Sequence, residues 1–332
     1  MNMAPRDIRE FFEDQEKRES IFYKRPLETL SSGIPILPRY IASEKRIGLQ
    51  KAMESLGGNF TLSHWPSRPG WPRGPSGSRV GVLIVTFDYD RLREAMLRSY
   101  AISTSGALPD EIALFDAVHA STNAPVTYFD APALVGRKRY WDGAMGAYNN
   151  PLMAGVVDAI CLGVQPSEIE ILSLGTGTVR LIPSDLATAD TPPDLTTAKV
   201  KPSVLSDIAR AAGCITDDPP DAATYTAHIV LGNAPDKVGR IVRLSPLIQP
   251  VNRNGAWTYP DSLPQPIFDA LSELGMDALE AEEVNLIKEL GDAWINHGAQ
   301  NQPLRMNDDL TLALGDGTYA IGKQRWRAIE RA

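Results

Sequence analysis

One apolar run constrains the fold more than any other segment of this chain. Residues 80 to 87 read Val-Gly-Val-Leu-Ile-Val-Thr-Phe, a short and nearly continuous series dominated by β-branched residues. Such a run is typical of a strand that is buried on both faces, and strands of that kind occur in parallel or mixed sheets. The run therefore predicts a sheet of this type within the first hundred residues.

The rest of the chain alternates predicted helices with predicted strands, which is the pattern of an α/β protein. Apolar spacing and capping residues predict helices around Leu49–Leu56, from Pro109-Asp110, from Asn150-Pro151 and over Phe268–Ala293. Further strands are predicted at Ile169–Leu174 and, more weakly, at Val242–Leu244. Residues 302–332 have no clear pattern and are expected to form a surface appendage.

The composition excludes several classes of protein. Hydrophobic residues make up 43% of the 332 residues and charged residues 22%, which is not the composition of a disordered chain, a collagen or a coiled coil. The net charge of −8 argues against a nucleic-acid partner, because binding the phosphate backbone needs clustered positive charge. It also argues against general electrostatic adhesion to anionic membranes.

Cysteine usage and the apolar runs bear on the compartment. The chain has two cysteines, Cys161 and Cys214, which cannot form a disulfide framework and are each expected to be small buried residues. The first residues contain no apolar signal segment, and neither Val80–Val85 nor Leu152–Val164 has the length of about 20 apolar residues that a membrane span needs. A cytoplasmic location is therefore predicted.

Three other patterns carry little functional information. The histidines have no metal-ligand spacing, so no metal site is predicted, and structural or surface roles are expected for His64, His119, His228 and His297. Gly317–Lys323 resembles a phosphate-binding loop, but the following residue is Gln324 where Ser or Thr would be needed, so this interpretation is rejected. Gly175-Thr176-Gly177 follows a strand, and its glycines are expected to permit close approach of another backbone rather than to cradle a phosphate.

The most informative residue is Asp142. It lies between Trp141 and Gly143 at a predicted corner, just before the helix entry Asn149-Asn150-Pro151. Gly143 removes a side chain where a substrate or a second backbone could approach. An Asp-Gly dipeptide by itself is also a common turn, so the dipeptide alone does not identify a site.

Several motifs in one order closely resemble the patatin-like phospholipase family, a group of lipid acyl hydrolases. The family has an Ala-Ser-x-Ala-Ala-Pro-x-x-Phe stretch, then Asp-Gly-Gly or Asp-Gly-Ala followed by Asn-Asn-Pro, then a strand that ends in Gly-Thr-Gly. The matching segments here are Ala120–Phe129, Asp142–Ala144, Asn149–Pro151 and Leu172–Gly177, and the strand Val82–Phe87 is similar to the one that precedes them in the family. The resemblance covers about residues 6–177 and extends weakly to residue 302.

The resemblance implies a fold and a mechanism. The fold would be a three-layer α/β domain with a mostly parallel central sheet, helices on both faces and a helical C-terminal elaboration. The reaction would be hydrolysis of lipid acyl esters by a serine–aspartate dyad, with Asp142 as the general base and no metal or organic cofactor. Residues near the site, again by resemblance, would be Gly143, Ala144, Asn149, Asn150 and Pro151. The expected partners are a lipid or acyl-ester substrate and a peripheral membrane surface.

The nucleophile that the resemblance implies is not found in the sequence. The family places it in Gly-x-Ser-x-Gly at a strand-to-helix elbow, after a glycine-rich oxyanion loop. No serine here has that pattern; Ser76 and Ser105 come nearest, and the sequence contains no Gly-Gly-Gly. We expect a domain without its first strand, oxyanion loop and nucleophile, and favour a reading frame begun at an internal start codon over a true truncation or a partner chain that supplies the missing part.

The domain assignment follows from the extent of the resemblance. Residues 1–180 are predicted to form a partial patatin-like domain, residues 181–302 an elaboration packed on it, and residues 303–332 an appendage. Two alternatives to the hydrolase remain open. One is an inactive protein that binds a lipid or a partner chain, which the missing serine favours. The other is a Ser-His-Asp hydrolase, which would need a serine elbow as well.

Overall fold

The architecture is taken from a computed structural model of the chain. It describes residues 9–10, 12–24, 38–55, 60–64, 80–102, 111–125, 128–177, 219–234, 237–248, 251–253, 256–258, 263–272, 274–275, 277–302, 304–306 and 312–330. The chain divides into two compact units, unit 1 (Met1–Pro151) and unit 2 (Leu152–Ala332). The predicted domain boundaries near residues 180 and 302 differ from this division and stay predictions.

Unit 1 contains an antiparallel sheet of four strands in the order β2-β1-β4-β3. The strands are β1 (Leu83–Asp88), β2 (Arg93–Arg98), β3 (Ala133–Val135) and β4 (Lys138–Asp142). Both hairpins have tight connections. Asp88 caps the first turn by accepting the N–H groups of Asp90 and Arg91, and Gly136 supplies a positive φ of 61° in the second.

The described residues of this unit include the helices α1 (Gln15–Ile21), α2 (Ala42–Ser55) and α3 (Leu114–Ser121). Helix α3 lies against β1, β3 and β4, and helix α2 packs against both α1 and α3. The core has two parts. One lies between α3 and the sheet and includes Leu97, Ala117, Ala120 and Tyr140; the other joins the three helices through Ile21, Leu49 and Phe115.

The predicted α/β class is confirmed, but the predicted sheet type is wrong for the strand on which it was based. Strand β1 pairs antiparallel with both of its neighbours. Its apolar run reflects a central position under α3, and hydrophobicity alone does not distinguish a central antiparallel strand from a parallel one. Strand β2 was not predicted, because its sequence Arg-Glu-Ala-Met-Leu-Arg lacks the β-branched residues typical of strands.

Unit 2 contains the parallel pairing, between β5 (Ile171–Leu174) and β6 (Ile241–Leu244). Its other elements are helices α4 (Leu152–Cys161), α5 (Pro219–Val230), α6 (Gln265–Ser272), α7 (Ala281–Asn296) and α8 (Tyr319–Ile329), and strands β7 (Val251–Arg253), β8 (Ala256–Thr258), β9 (Arg305–Met306) and β10 (Leu312–Leu314). The pairs β7–β8 and β9–β10 are antiparallel. The buried core includes Val156, Ala227, Leu231, Ile241 and Leu304.

Three sequence interpretations change in unit 2. The single helix predicted over Phe268–Ala293 is two helices, α6 and α7. The last residues are not a surface appendage, since Gly322 of α8 lies so close to Leu244 of β6 that an added Cβ would come within 2.6 Å of its side chain. Cys161 is exposed at the end of α4 rather than buried.

The predicted starts of two helices can be compared with the structure, and some residues named above lie outside its described part. Helix α4 begins at Leu152, directly after Pro151, as the Asn-Pro entry predicts. Helix α3 begins at Leu114 instead of near Asp110, because residue 113 first forms a β-bridge with Thr61. Residues named above that lie outside the described part are Leu56, Ser76, Ser105, Pro109, Asp110 and Cys214.

Candidate active site

Asp142 is the last residue of β4, and two neighbours fix its backbone. It lies opposite Thr86 of β1, which is fully buried and donates its hydroxyl to the Ala95 carbonyl at 2.9 Å. The N–H of Asp142 donates to the Asn123 carbonyl at 3.1 Å, just past the end of α3. The carboxyl group therefore starts from a fixed backbone position at the end of an inner strand.

The carboxyl group of Asp142 caps a short 3₁₀ helix over Gly143–Gly146. Its Oδ1 atom accepts the N–H of Ala144 at 2.9 Å, and Ala147 closes the helix with a positive φ of 66°. Within the described residues, Oδ2 accepts no hydrogen bond. One carboxylate oxygen is thus held in place while the other is available to a further donor.

Gly143 allows the backbone to approach β1 closely. A Cβ at this position would lie 2.7 Å from the carbonyl oxygen of Val85, which is too close for any real side chain. Of the two explanations that the sequence left open for this glycine, a substrate or a second backbone, the structure supplies the second. Gly143 therefore sets the position of Asp142 relative to the sheet.

Lys45 is the charged group that sequence reasoning missed. It lies on α2 with only 2% of its surface exposed, and its Nζ atom donates to the Thr122 carbonyl at the C-terminal end of α3. The ammonium is also 4.2 Å from the centroid of the Phe129 ring. A signal existed, because Lys45 is four residues before Leu49 and three after Ala42, on the apolar face of the helix.

Burial and mutual attraction shape the ionisation of this pair. Burial raises the pKa of Asp142, while the Ala144 N–H and the Lys45 ammonium act in the opposite direction. Burial lowers the pKa of Lys45 to about 7, and the Asp142 carboxylate acts to raise it. A carboxylate with a raised pKa is a stronger base than an ordinary aspartate, which suits proton abstraction near neutral pH.

His119 and Asn123 add buried polar atoms to this side of unit 1. His119 is 2% exposed, and burial together with the charges of Lys45 and Arg46 lowers its pKa to about 3, so its ring is neutral. Among the described residues, His119 Nδ1 and Asn123 Oδ1 have no hydrogen-bond partner. A neutral imidazole that is no proton carrier at neutral pH fits the structural role predicted for it.

The serine nearest in sequence to this site is engaged elsewhere. The Ser121 hydroxyl, at the end of α3, donates to the Val85 carbonyl at 2.7 Å. In the described part of the chain, no serine hydroxyl bonds to Asp142. In the sequence, no serine has the pattern of a nucleophile elbow.

The structure brings some of the predicted site residues together. Gly143 and Ala144 form the turn that holds the Asp142 carboxylate. Asn149 and Pro151 are exposed, and Asn150 is buried just before α4. A part in the site for these three residues stays a prediction.

The N–H groups of the two glycines in the turn after β5 form hydrogen bonds within unit 2. The N–H of Gly175 donates to the Leu244 carbonyl at 2.9 Å, and that of Gly177 donates to the Ser245 hydroxyl at 3.1 Å. A Cβ on Gly177 would come within 2.9 Å of the Pro246 carbonyl. The expected close backbone approach is confirmed, and these two N–H groups are not available to a phosphate.

The described residues also bear on two other kinds of site, a metal centre and a membrane span. They contain no cluster of His, Cys, Asp or Glu side chains that could hold a metal ion. None of their helices has the length and apolarity to cross a membrane. A scan of the chain against protein-family models and a search of curated proteins both found no match.

Proposed function

We propose that the chain is the base-bearing part of a patatin-like lipid acyl hydrolase, with Asp142 as the general base of a serine–aspartate dyad. The observation that carries the proposal is the state of the Asp142 carboxyl group. One oxygen is held by Ala144, the second accepts no bond from the described residues, and burial raises its pKa. The Asp-Gly-Ala motif around it has the family's order relative to the flanking motifs.

The chemistry assigned to Asp142 is proton transfer. Its free oxygen takes the proton of a serine hydroxyl as the serine oxygen attacks the ester carbonyl, and the carboxyl group returns that proton to the departing alcohol, which leaves an acyl-enzyme. Water then attacks the acyl-enzyme and gives its proton to the same carboxylate, which passes it to the serine oxygen as the fatty acid is released. The bond from Ala144 keeps the carboxylate oriented through both steps, so little reorganisation is needed.

The proposal places the serine in polypeptide outside these 332 residues. The complete domain would have the three-layer patatin-like fold, to which unit 1 contributes the base and unit 2 the parallel pair β5–β6. The location would be cytoplasmic and the substrate a lipid acyl ester, reached by peripheral contact with a membrane or lipid surface.

The test compares hydrolysis of p-nitrophenyl butyrate by the protein isolated from the cells that produce it, with variants introduced in the gene. Asp142→Asn preserves the cap on Ala144 but removes the base, and is expected to lower kcat/KM by about 10²- to 10⁴-fold. The matched control is Asp88→Asn, another buried capping carboxylate in the same sheet, which should leave kcat/KM unchanged. Wild-type hydrolysis by Asp142→Asn would refute the assignment.

A second candidate is a protein that binds a lipid or a partner chain without turning it over. The engagement of Ser121 with Val85, together with the missing serine elbow, favours it. It predicts that the natural protein hydrolyses no ester. It also predicts that Asp142→Asn and wild type bind lipid vesicles with equal affinity. Hydrolysis that depends on Asp142 would exclude it.

A further inference from the structure

The burial of Lys45 needs an explanation beyond packing. Charged lysines are almost never fully buried unless they are paired, because removing the ammonium from water costs several kcal/mol. Lys45 is 2% exposed, yet it has no carboxylate within hydrogen-bonding distance in the described part of the chain. Its hydrogen bond goes to a backbone carbonyl.

The end of α3 brings Lys45 and Asp142 to neighbouring carbonyl groups. The Lys45 ammonium donates to the carbonyl of Thr122, and the Asp142 N–H donates to the carbonyl of Asn123, the next residue. The two groups therefore bind the carbonyls of two consecutive residues. Thr122 and Asn123 directly follow α3, which packs on α2, β1 and β4.

The surroundings of the ammonium exclude water. The Phe129 ring lies 4.2 Å from Nζ, and it forms an aromatic cluster with Tyr40 and Phe22. An aromatic face stabilises a cation that has lost its hydration. In such a medium a charge acts on its neighbours much more strongly than it would in water.

Several other charged groups in this part of unit 1 are engaged, neutral or exposed. Arg46 forms an ion pair with Asp116 at 2.6 Å, and His119 is uncharged near neutral pH. Arg18 donates to Phe12, Asp88 caps its turn, Asp130 accepts from Ala42, and Glu94 acts on Tyr148. On α2 itself, Glu44 is half-buried, and Lys51 and Glu54 are exposed. Asp142 is the carboxylate whose charge acts on Lys45.

We infer that Lys45 is a positioning residue for the base: its buried ammonium, fixed on the end of α3, supplies the positive charge that keeps the Asp142 carboxylate ionised and ready to accept a proton. The inference rests on the proposed function of Asp142. The competing explanation is that Lys45 only caps the carbonyl groups at the end of α3.

The two explanations differ in the pH dependence of kcat/KM for p-nitrophenyl butyrate. Without the ammonium, Asp142 needs a higher pH to ionise. Lys45→Met should therefore lose about tenfold in kcat/KM at the acidic end of the profile, where an opposite charge matters most. Above a pH of about 7 wild-type Lys45 is itself becoming neutral, so the two profiles should converge at the alkaline end.

Two variants control for structural damage. Lys45→Arg keeps the charge and should restore the acidic end of the profile, whereas a pure capping role predicts the same relative loss at every pH. Lys51→Met removes an exposed lysine from the same helix and should leave the profile unchanged. A Lys45→Met profile that is parallel to wild type, while Asp142→Asn is inactive, would overturn the inference and leave the proposed function standing.

A measurement independent of activity covers the case in which Lys45→Met does not fold. In the protein labelled with ¹³C-lysine, the Lys45 side chain should titrate in NMR spectra near a pH of about 7. In Asp142→Asn its midpoint should fall, because the attraction of the carboxylate is lost. An unchanged midpoint would overturn the inference, whether or not the protein hydrolyses esters.

Discussion

Each unit holds a cation near a carboxylate, and the two carboxylates differ in how many of their oxygens accept hydrogen bonds. In unit 2, Arg325 forms a two-point pair with Asp316, at 2.8 and 2.6 Å, and also donates to two carbonyls at the start of β6. In unit 1, Lys45 and Asp142 share no hydrogen bond among the described residues. The Asp316 carboxylate has both oxygens occupied, whereas Asp142 has one oxygen left over.

The difference is what we expect between a structural pair and the reactive pair that we propose. A saturated pair gains stability from every hydrogen bond, and its charges have nothing left to offer a substrate. An unsaturated pair gives up some of that stability, and groups with perturbed pKa values of this kind are concentrated at functional sites. On this comparison, Arg325 and Asp316 hold α8 to β6, while the proposed function assigns Lys45 and Asp142 to a reaction.

The strongest expected effect is on the saturated pair. Arg325→Met leaves the buried Asp316 without its partner and should lower the free energy of unfolding of unit 2 by about 3–5 kcal/mol. Calorimetry of the variant tests this, with Arg327→Met as the control because Arg327 is an exposed arginine on the same helix. Equal melting of the two variants would show that the pair is not structural.

The unsaturated pair should instead show its effect through pH. Burial holds the pKa of Lys45 at about 7, below its ordinary value of 10.5, so between these values the unfolded chain binds more protons than the native one. The free energy of unfolding should therefore rise with pH across this window, by up to a few kcal/mol.

Lys45→Met should abolish that rise. Chemical denaturation of wild type and variant from about pH 6 to pH 10 measures the difference, in which the titrations common to both proteins cancel. If the difference between the two unfolding free energies is constant over the window, Lys45 does not titrate there and the ionisation assigned to the site is wrong.

A steric change tests how the Asp142 corner is held. Gly143→Ala places a Cβ against the Val85 carbonyl and should cost about 1–3 kcal/mol of the free energy of unfolding, along with activity. Gly155→Ala, in an open position on α4, is the matched control and should be neutral or stabilising by up to about 1 kcal/mol. Similar stability of both variants would mean that the corner relaxes without difficulty.

The smallest effect concerns Ser121. Replacing it with Ala removes one hydrogen bond to Val85 and should lower the free energy of unfolding by about 1 kcal/mol. Ester hydrolysis should persist, because the proposed function pairs Asp142 with a different serine. Loss of hydrolysis with an intact fold would make Ser121 the nucleophile and would change the account of the site.

Local features of the fold could be predicted from the sequence, whereas pairings between distant segments could not. The strands β1 and β5 and the start of α4 followed from apolar runs and the Asn-Pro entry, which are local signals. The antiparallel partners of β1 depend on β2 and β4, and nothing in the β1 run specifies them. The break between α6 and α7 was also hidden, because apolar residues at helical spacing lie on both sides of it.

The same distinction applies to the candidate site. Asp142 and Gly143 stood out because they adjoin each other in a motif, although the close approach to Val85 that explains Gly143 is a tertiary contact. Lys45 precedes Asp142 by almost a hundred residues. The role that we infer for it depends on a tertiary arrangement, in which Lys45 and Asp142 bind neighbouring carbonyls at the end of α3. A lysine on an apolar helix face was the only local signal, and by itself it does not name its partner.

Covalent labelling is the most direct test of the assignment of Asp142. A fluorophosphonate reacts with a serine that a neighbouring base has activated, and peptide mass spectrometry of the protein isolated from its cells then identifies the labelled serine. The account predicts one modified serine, in a segment outside these 332 residues, and loss of the modification in Asp142→Asn. Labelling that is equal in Asp142→Asn and wild type, or no labelling of wild type at all, would contradict it.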